Sequence, residues 1–309
     1  PLQTTYKTHN MKKILYIVIL ITIGLSSCDK FSGEQEIPSY IHFEGFYLEE
    51  NTDFTFSQSS DLLTSDIRDV WVYVDEIYIG AYPLPCSIPI LKEGKHKIDL
   101  RPGIIYNGMN NMREEYVFYT SHSDTLNLVP GEEIHIGKQP IMYNANKCSI
   151  PFKETFESYF INFKQANVIG EEALSMNVIS GDSVKYGNNC GTIYFEEGGH
   201  NKYISVDSIF CNNTNGVILE IDYCSNIPFE IGLYGRSSSA EANKYISAVR
   251  LTPTQENEWK KSYIILTKVW KTLGYPLNFH IYLEAFNPEK TKNSFVHVDN
   301  IKVLHFPNN

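Results

Sequence analysis

Three kinds of side chain in this 309-residue sequence have the types and spacing to do chemistry. The first is a thiol. Cys28 ends the stretch Leu25-Ser26-Ser27-Cys28, which directly follows an apolar run from Ile14 to Gly24 that Lys12 and Lys13 precede. The second is a hydroxyl, Ser183 in Gly181-Asp182-Ser183-Val184, with Asp299 and His305 six residues apart near the far end of the chain. A serine nucleophile needs a base in reach and a group that orients that base. Neither spacing assembles such a set, and His200 in Gly198-Gly199-His200 has no partner cysteine, serine or metal-spaced histidine. No complete catalytic constellation is present, so no enzyme is expected. The third is a set of aromatic rings, which stack on the apolar face of a pyranose while amides and carboxylates fix its hydroxyls. Trp270, Tyr234 and Tyr245 are the expected ligand-binding residues. Tyr194, Tyr203, Tyr223 and Tyr282 are further rings with Asn and Asp nearby.

The elements around Cys28 read as an export signal. Two lysines and eleven apolar residues match the charged and apolar regions of a signal peptide, whose apolar part spans roughly 7–15 residues. The run is well short of the ~20 residues that cross a bilayer as a helix. Leu25, Ser26, Ser27 and Cys28 resemble a bacterial lipobox. That resemblance implies diacylglycerol and palmitate-type acylation of Cys28, cleavage before it, and anchoring in the lipid bilayer by several acyl chains, each buried CH₂ contributing about 0.8 kcal/mol. Residues 1–10 then read as an untranslated or miscalled leader, 11–27 as the signal peptide, and 28–38 as a lipidated tether rich in Ser, Gly, Glu and Pro.

Composition narrows the class further. A net charge of −10 without a long basic block argues against a nucleic-acid partner. Abundant Tyr and Phe, with many Asn, Ile and Lys and little Ala, favour strands and are similar in style to envelope proteins of Bacteroidetes. Asp124-Thr125-Leu126, Asp182-Ser183-Val184 and Asp207-Ser208-Ile209 resemble that phylum's O-glycosylation triplet, which implies Thr125, Ser183 and Ser208 as modified residues. The expected address is the bacterial outer membrane, with cell surface and periplasmic face both open. Besides Cys28 there are Cys86, Cys148, Cys190, Cys211 and Cys224, an odd count without a Cys-x-x-Cys pair, so neither a disulfide framework nor a zinc site is expected. The spacing leaves open one bridge among Cys190, Cys211 and Cys224, or buried thiols throughout.

From Ser39 onward, short alternating segments separated by turn residues predict an all-β chain of two β-sandwich domains, 39–142 and 150–309. In the first, Val70, Val72 and Val74 alternate with Trp71 and Tyr73, Asp75-Glu76 turns, and Ile79-Gly80, Pro83 and Gly94 follow. This stretch resembles the PEGA repeat, an Ig-like β-sandwich of bacterial surface proteins, although Glu76 stands where that repeat has Gly. The resemblance implies a spacer or interaction module. In the second domain, Val217–Tyr223 and Phe279–Glu284 alternate at period two, as half-buried strands should. Trp259, ahead of Lys260-Lys261-Ser262-Tyr263, reads as a buried wedge. The order of about ten strands and the ending Val298-Asp299-Asn300-Ile301-Lys302-Val303 resemble jelly rolls of the carbohydrate-binding-module and galactose-binding kind. That likeness implies a glycan partner and, as the sole candidate cofactor, a structural calcium held by Glu154, Glu157 and Asp299. The expected function is a non-catalytic, membrane-anchored lipoprotein that binds a glycan through this jelly roll. The alternative is a structural subunit of an outer-membrane secretion, motility or transport complex that docks onto a protein partner.

Overall fold

The computed structural model describes residues 36–54, 62–166, 173–195, 199–212, 216–238, 240–255, 258–287 and 293–307. The expected signal segment and the expected lipobox Leu25, Ser26, Ser27 and Cys28 lie outside these residues. The described chain is nearly all β. Among the described residues, no helix is long and apolar enough to cross a membrane.

In the first half, the strand Asp69–Val74 carries Val70, Val72 and Val74 on one face, all fully buried, with Trp71 and Tyr73 on the other. β-Branched residues at period two suit a pleated surface packed on one side. Asp75 and Glu76 both have positive φ, 50° and 69°. Such a two-residue primed turn matches the twist of the strands it joins, and the chain returns as Ile77–Pro83. Gly94–Ile105 flanks Asp69–Val74 on its other side and pairs in turn with Arg113–Glu115 and His122–Leu128, giving five strands. Facing them is a three-stranded sheet ordered Cys86–Ile90, Ser39–Phe43, Glu133–Ile136. Ile41, Phe43, Val70, Val72, Ile88 and Leu100 fill the space between the two sheets. The chain passes from one sheet to the other at Pro130-Gly131, where Gly131 has φ 80°.

The second half packs two six-stranded sheets. One runs Asn177–Ser180, Asn189–Phe195, Ser294–His305, Val217–Ser225, Lys260–Ile265, with Ser149–Glu154 also paired to Ser294–His305. The other runs Phe163–Gln165, Gly199–Ser205, Asn278–Asn287, Phe229–Gly235, Lys244–Leu251, with Ile209–Phe210 also on Asn278–Asn287. Among the described residues the two sheets hold twelve strands, against the expected number of about ten.

One expectation is corrected. Val217–Ser225 is buried at every position, not half-buried. Val217, Leu219, Ile221 and Tyr223 point into the sandwich core. Ile218 and Glu220 point the other way, and the first half of the chain covers them. Ile218, Tyr263 and Leu304 pack in one cluster with Ile104, Tyr116, Phe118 and Tyr143. The Tyr106–Tyr263 bridge and a 2.7 Å hydrogen bond from the Asn107 amide to the Tyr263 carbonyl stitch the halves by backbone. The two halves share a packed, polar-centred interface.

Candidate functional site

With Glu220, Asp222, Lys261 and Lys302 covered, the long face turned to solvent is the outer side of the other jelly-roll sheet. Period two sorts its residues. Phe279, Ile281, Leu283 and Ala285 enter the core, so His280, Tyr282, Glu284 and Phe286 lie outside. Phe229, Ile231 and Leu233 enter from the neighbouring strand, leaving Glu230, Gly232 and Tyr234 outside.

Tyr234 stands opposite Tyr245 on one side and His280 on the other. The Tyr234 and Tyr245 rings are stacked, with centroids 4.3 Å apart at 29°, and both residues are half-buried. Tyr282 meets Tyr245 edge-on at 5.2 Å and forms a fully buried floor beneath it. That floor needs glycine at position 232. A Cβ there would lie 2.2 Å from the Ile246 carbonyl oxygen and 2.5 Å from the Tyr282 ring. Burial and the hydrogen bond to Glu230 push the Tyr282 hydroxyl far above its ordinary pKa. It therefore stays protonated and donates to Glu230 Oε1 at 2.7 Å.

Charged groups frame the rings. Lys202 Nζ lies 4.0 Å from the Tyr245 ring centroid and 3.0 Å from Glu284 Oε2. His200 bonds the other oxygen of the same carboxylate. Asn243 Nδ2 donates to Tyr234 Oη at 3.1 Å. The cation–π contact and the ion pair fix Lys202 and hold the Tyr245 ring in place. The result is an aromatic surface bordered by two carboxylates, an ammonium and an amide. It can stack on an apolar ring face and hydrogen-bond the hydroxyls around that ring.

A second concavity of about 460 Å³ runs between the two halves, lined by Arg68, Asn107, Arg113, Tyr223, Arg250 and Lys260 among others. Its cations are largely engaged, Arg68 with Asp66 at 2.6 Å and Arg113 with Asp69 at 2.5 Å. It also lacks a stacked aromatic pair. The tyrosine face is the better candidate.

The structure brings together Tyr234 and Tyr245 but not Trp270, which is corrected. Trp270 is 1% exposed in the short helix Thr267–Thr272. Its indole N–H donates to the Pro276 carbonyl at 2.8 Å, and its ring abuts Tyr275 and Phe279. Trp259 is the reverse case. It is half-buried, not a core wedge, and its indole N–H donates to the Ser183 carbonyl at 3.1 Å. Tyr203 and Tyr223 are core residues, and Tyr194 is exposed on the other sheet.

The three acids expected around calcium are not brought together. Their oxygens do not converge within 4.8 Å, and among the described residues one His/Cys/Asp/Glu group does, at His42, Glu133 and His135. Glu154 accepts the backbone N–H groups of Phe156 and Asn162 at 2.7 and 2.6 Å. Glu157 accepts those of Asn188 and Asn189 at 2.7 and 2.8 Å. Asp299 is buried and accepts the Asn300 N–H at 2.7 Å. These acids hold loops and a strand bend. Thr125, Ser183 and Ser208 are all exposed. Among the described residues the five cysteines form no disulfide, and burial pushes the Cys190 thiol up to about 12. Lys202, Glu230, Gly232, Asn243 and Glu284 were not singled out from sequence. The usable signal was the alternation of Phe279–Glu284, which places His280, Tyr282 and Glu284 on one face.

No family model matches the chain, and no curated protein matches it. Solved structures do match. A family 11 carbohydrate-binding module from Clostridium thermocellum, in complex with a β-1,3-1,4-mixed-linked tetrasaccharide, is 15% identical and covers 52% of this chain and 96% of its own, with a TM-score of 0.37. A structure from a study of carbohydrate-binding modules of the β-sandwich superfamily is 14% identical and covers 88% and 99%, with a TM-score of 0.38. A cleaved adhesin domain of Lys-gingipain from Porphyromonas gingivalis is 12% identical and covers 51% and 98%, with a TM-score of 0.35. The likeness is one of β-sandwich architecture.

Proposed function

We propose that this chain is a membrane-anchored, non-catalytic lipoprotein of the bacterial envelope that binds a glycan on the tyrosine face. The observation that carries the glycan reading is the Tyr234–Tyr245 stack, which is half-buried on the outer side of a sheet and bordered by fixed polar groups. Trp270, by contrast, lies in the core and offers no ring face to a ligand. A protein-docking face would present a broad apolar patch. Lys202, Glu284, His200 and Asn243 around these rings favour a hydroxyl-rich ligand instead. The anchor rests on the lipobox-like Leu25-Ser26-Ser27-Cys28 behind its apolar run, and the outer membrane is its proposed location.

Two experiments test the two parts. Metabolic labelling with a palmitate analogue, followed by fractionation, is expected to show acylated protein in membranes. Cys28→Ser should lose the label and the membrane association; a labelled, membrane-bound Cys28→Ser protein would end the lipoprotein reading. A glycan array probed with the full chain in detergent is expected to return a family of related oligosaccharides. Silence across neutral, acidic and aminated glycans would end the glycan reading.

A further inference from the structure

The proximal sandwich holds a cluster that the glycan reading does not use. Ser39–Phe43 and Glu133–Ile136 pair in parallel, with Tyr40 opposite Glu133 and His42 opposite His135. Period two puts Glu133 and His135 on one face of their strand, and the register puts His42 beside them on the same face. Glu133 Oε2 lies 3.2 Å from His42 Nε2 and 3.7 Å from His135 Nε2. All three donor atoms fall within 4.8 Å of one another. The imidazoles stack with centroids 4.6 Å apart at 14°, so the two ring edges are presented side by side. His42 Nε2 is shielded from solvent and makes no aligned hydrogen bond, Glu133 Oε2 lying 3.2 Å away outside hydrogen-bonding geometry. A shielded nitrogen with so poorly aligned a contact gains from a better-placed partner.

We propose that His42, Glu133 and His135 form a binding site for a divalent transition-metal ion of the zinc class. Two imidazole nitrogens and one carboxylate suit zinc, nickel or copper, while calcium requires six to eight oxygens. Ligands at about 2.0–2.2 Å from a tetrahedral zinc stand roughly 3.3–3.5 Å apart. The present spacing reaches that by small side-chain rotations, which the exposure of His135 and Glu133 permits, their side chains being 74% and 58% exposed. A cavity of about 330 Å³ lined by His42, His135 and Glu44 adjoins the site and leaves room for water ligands. The ion ties Glu133–Ile136, an edge strand of its sheet, to the central strand Ser39–Phe43, the first described strand after the expected tether. This site is independent of the glycan reading.

The test is titration of the full chain in detergent with Zn²⁺ by calorimetry, and with Cu²⁺ followed by electron paramagnetic resonance. The expected result is one ion per chain, hyperfine coupling to two imidazole nitrogens, and a rise in melting temperature that EDTA reverses. His135→Ala, at an exposed position, should weaken Zn²⁺ binding at least tenfold while leaving the metal-free melting temperature unchanged, and Glu133→Gln should weaken it less. Absence of binding at about 100 µM Zn²⁺ overturns the proposal, as does binding that both variants retain undiminished.

Discussion

Tyr143 Oη donates a 2.8 Å hydrogen bond to Glu220 Oε2, joining side chains 77 residues apart that belong to opposite halves of the fold. Tyr116 donates to the other oxygen of the same carboxylate at 2.6 Å. Lys261 and Lys302 each lie 3.3 Å from Glu220 Oε2. Lys302 also donates to Tyr143 Oη at 2.7 Å and to the Leu62 carbonyl at 2.5 Å. Asp222 accepts from Thr64 at 2.5 Å and sits 3.5 Å from Lys261. Two acids and two ammoniums thus neutralise one another where both halves exclude water. Burial opposes the Glu220 charge, but Lys302 and Lys261 outweigh it and hold the carboxyl below its usual range. Burial, with Lys261 beside it, pushes Lys302 down to about 8.

This arrangement predicts an asymmetric response to mutation. Glu220→Ala strands two buried ammoniums with one carboxylate and should cost about 3–5 kcal/mol. Tyr143→Phe removes the hydroxyl that donates to Glu220 and accepts from Lys302 but leaves the charges in place, and should cost about 2–3 kcal/mol. Urea unfolding of the two variants checks this. If Glu220→Ala is no more destabilising than Tyr143→Phe, the network is not what closes the interface.

The interface also shows where sequence reading stopped. Val217–Tyr223 alternates apolar and polar residues, so its strand character was legible. Its polar face, however, reads the same whether it meets water or another domain's tyrosine hydroxyls. The partner residues of Glu220 come from Tyr116 and Tyr143, which no local pattern connects to it. Trp270 failed for a related reason, since a tryptophan near a Gly-Tyr-Pro turn looks exposed until the helix Thr267–Thr272 folds it inward. The His42, Glu133 and His135 group was invisible because a parallel pairing between distant strands creates it. The Tyr234–Tyr245 pair was partly legible because both rings sit on alternating strands, but their register needed the fold.

The hairpin at Asp75-Glu76 was legible as a turn, and its geometry yields a second prediction. Glu76 holds φ at 69°, a region that costs most side chains roughly 1–2 kcal/mol and glycine little. Glu76→Gly should therefore stabilise the chain by about 0.5–1 kcal/mol, after glycine's greater unfolded-state entropy is counted. Thermal unfolding reads this directly. A lowered melting temperature would mean that the Glu76 side chain contributes more than its backbone strain costs.

His297 makes stability depend on acid pH. It is 4% exposed, its Nδ1 lies 2.8 Å from Thr192 Oγ1, and burial pushes its pKa down from 6.5 to about 4. Between these values the unfolded chain binds a proton that the folded chain refuses. Stability is therefore full above pH 6.5 and falls as the pH drops toward 4, by on the order of 3 kcal/mol for this residue. Denaturation profiles of the wild type and His297→Gln across pH 4–7 should differ in slope, with the variant flatter. Parallel slopes would show that His297 protonates as easily folded as unfolded.

The most direct test of the central claim compares Tyr234→Ala, Tyr245→Ala and the wild type for affinity toward the best oligosaccharide from the array, alongside their melting temperatures. The tyrosine face predicts that each variant loses at least tenfold in affinity, about 1.4 kcal/mol, while the sandwich still melts cooperatively near the wild-type temperature. Undiminished glycan affinity in both variants would contradict the account and place the binding surface elsewhere on the molecule.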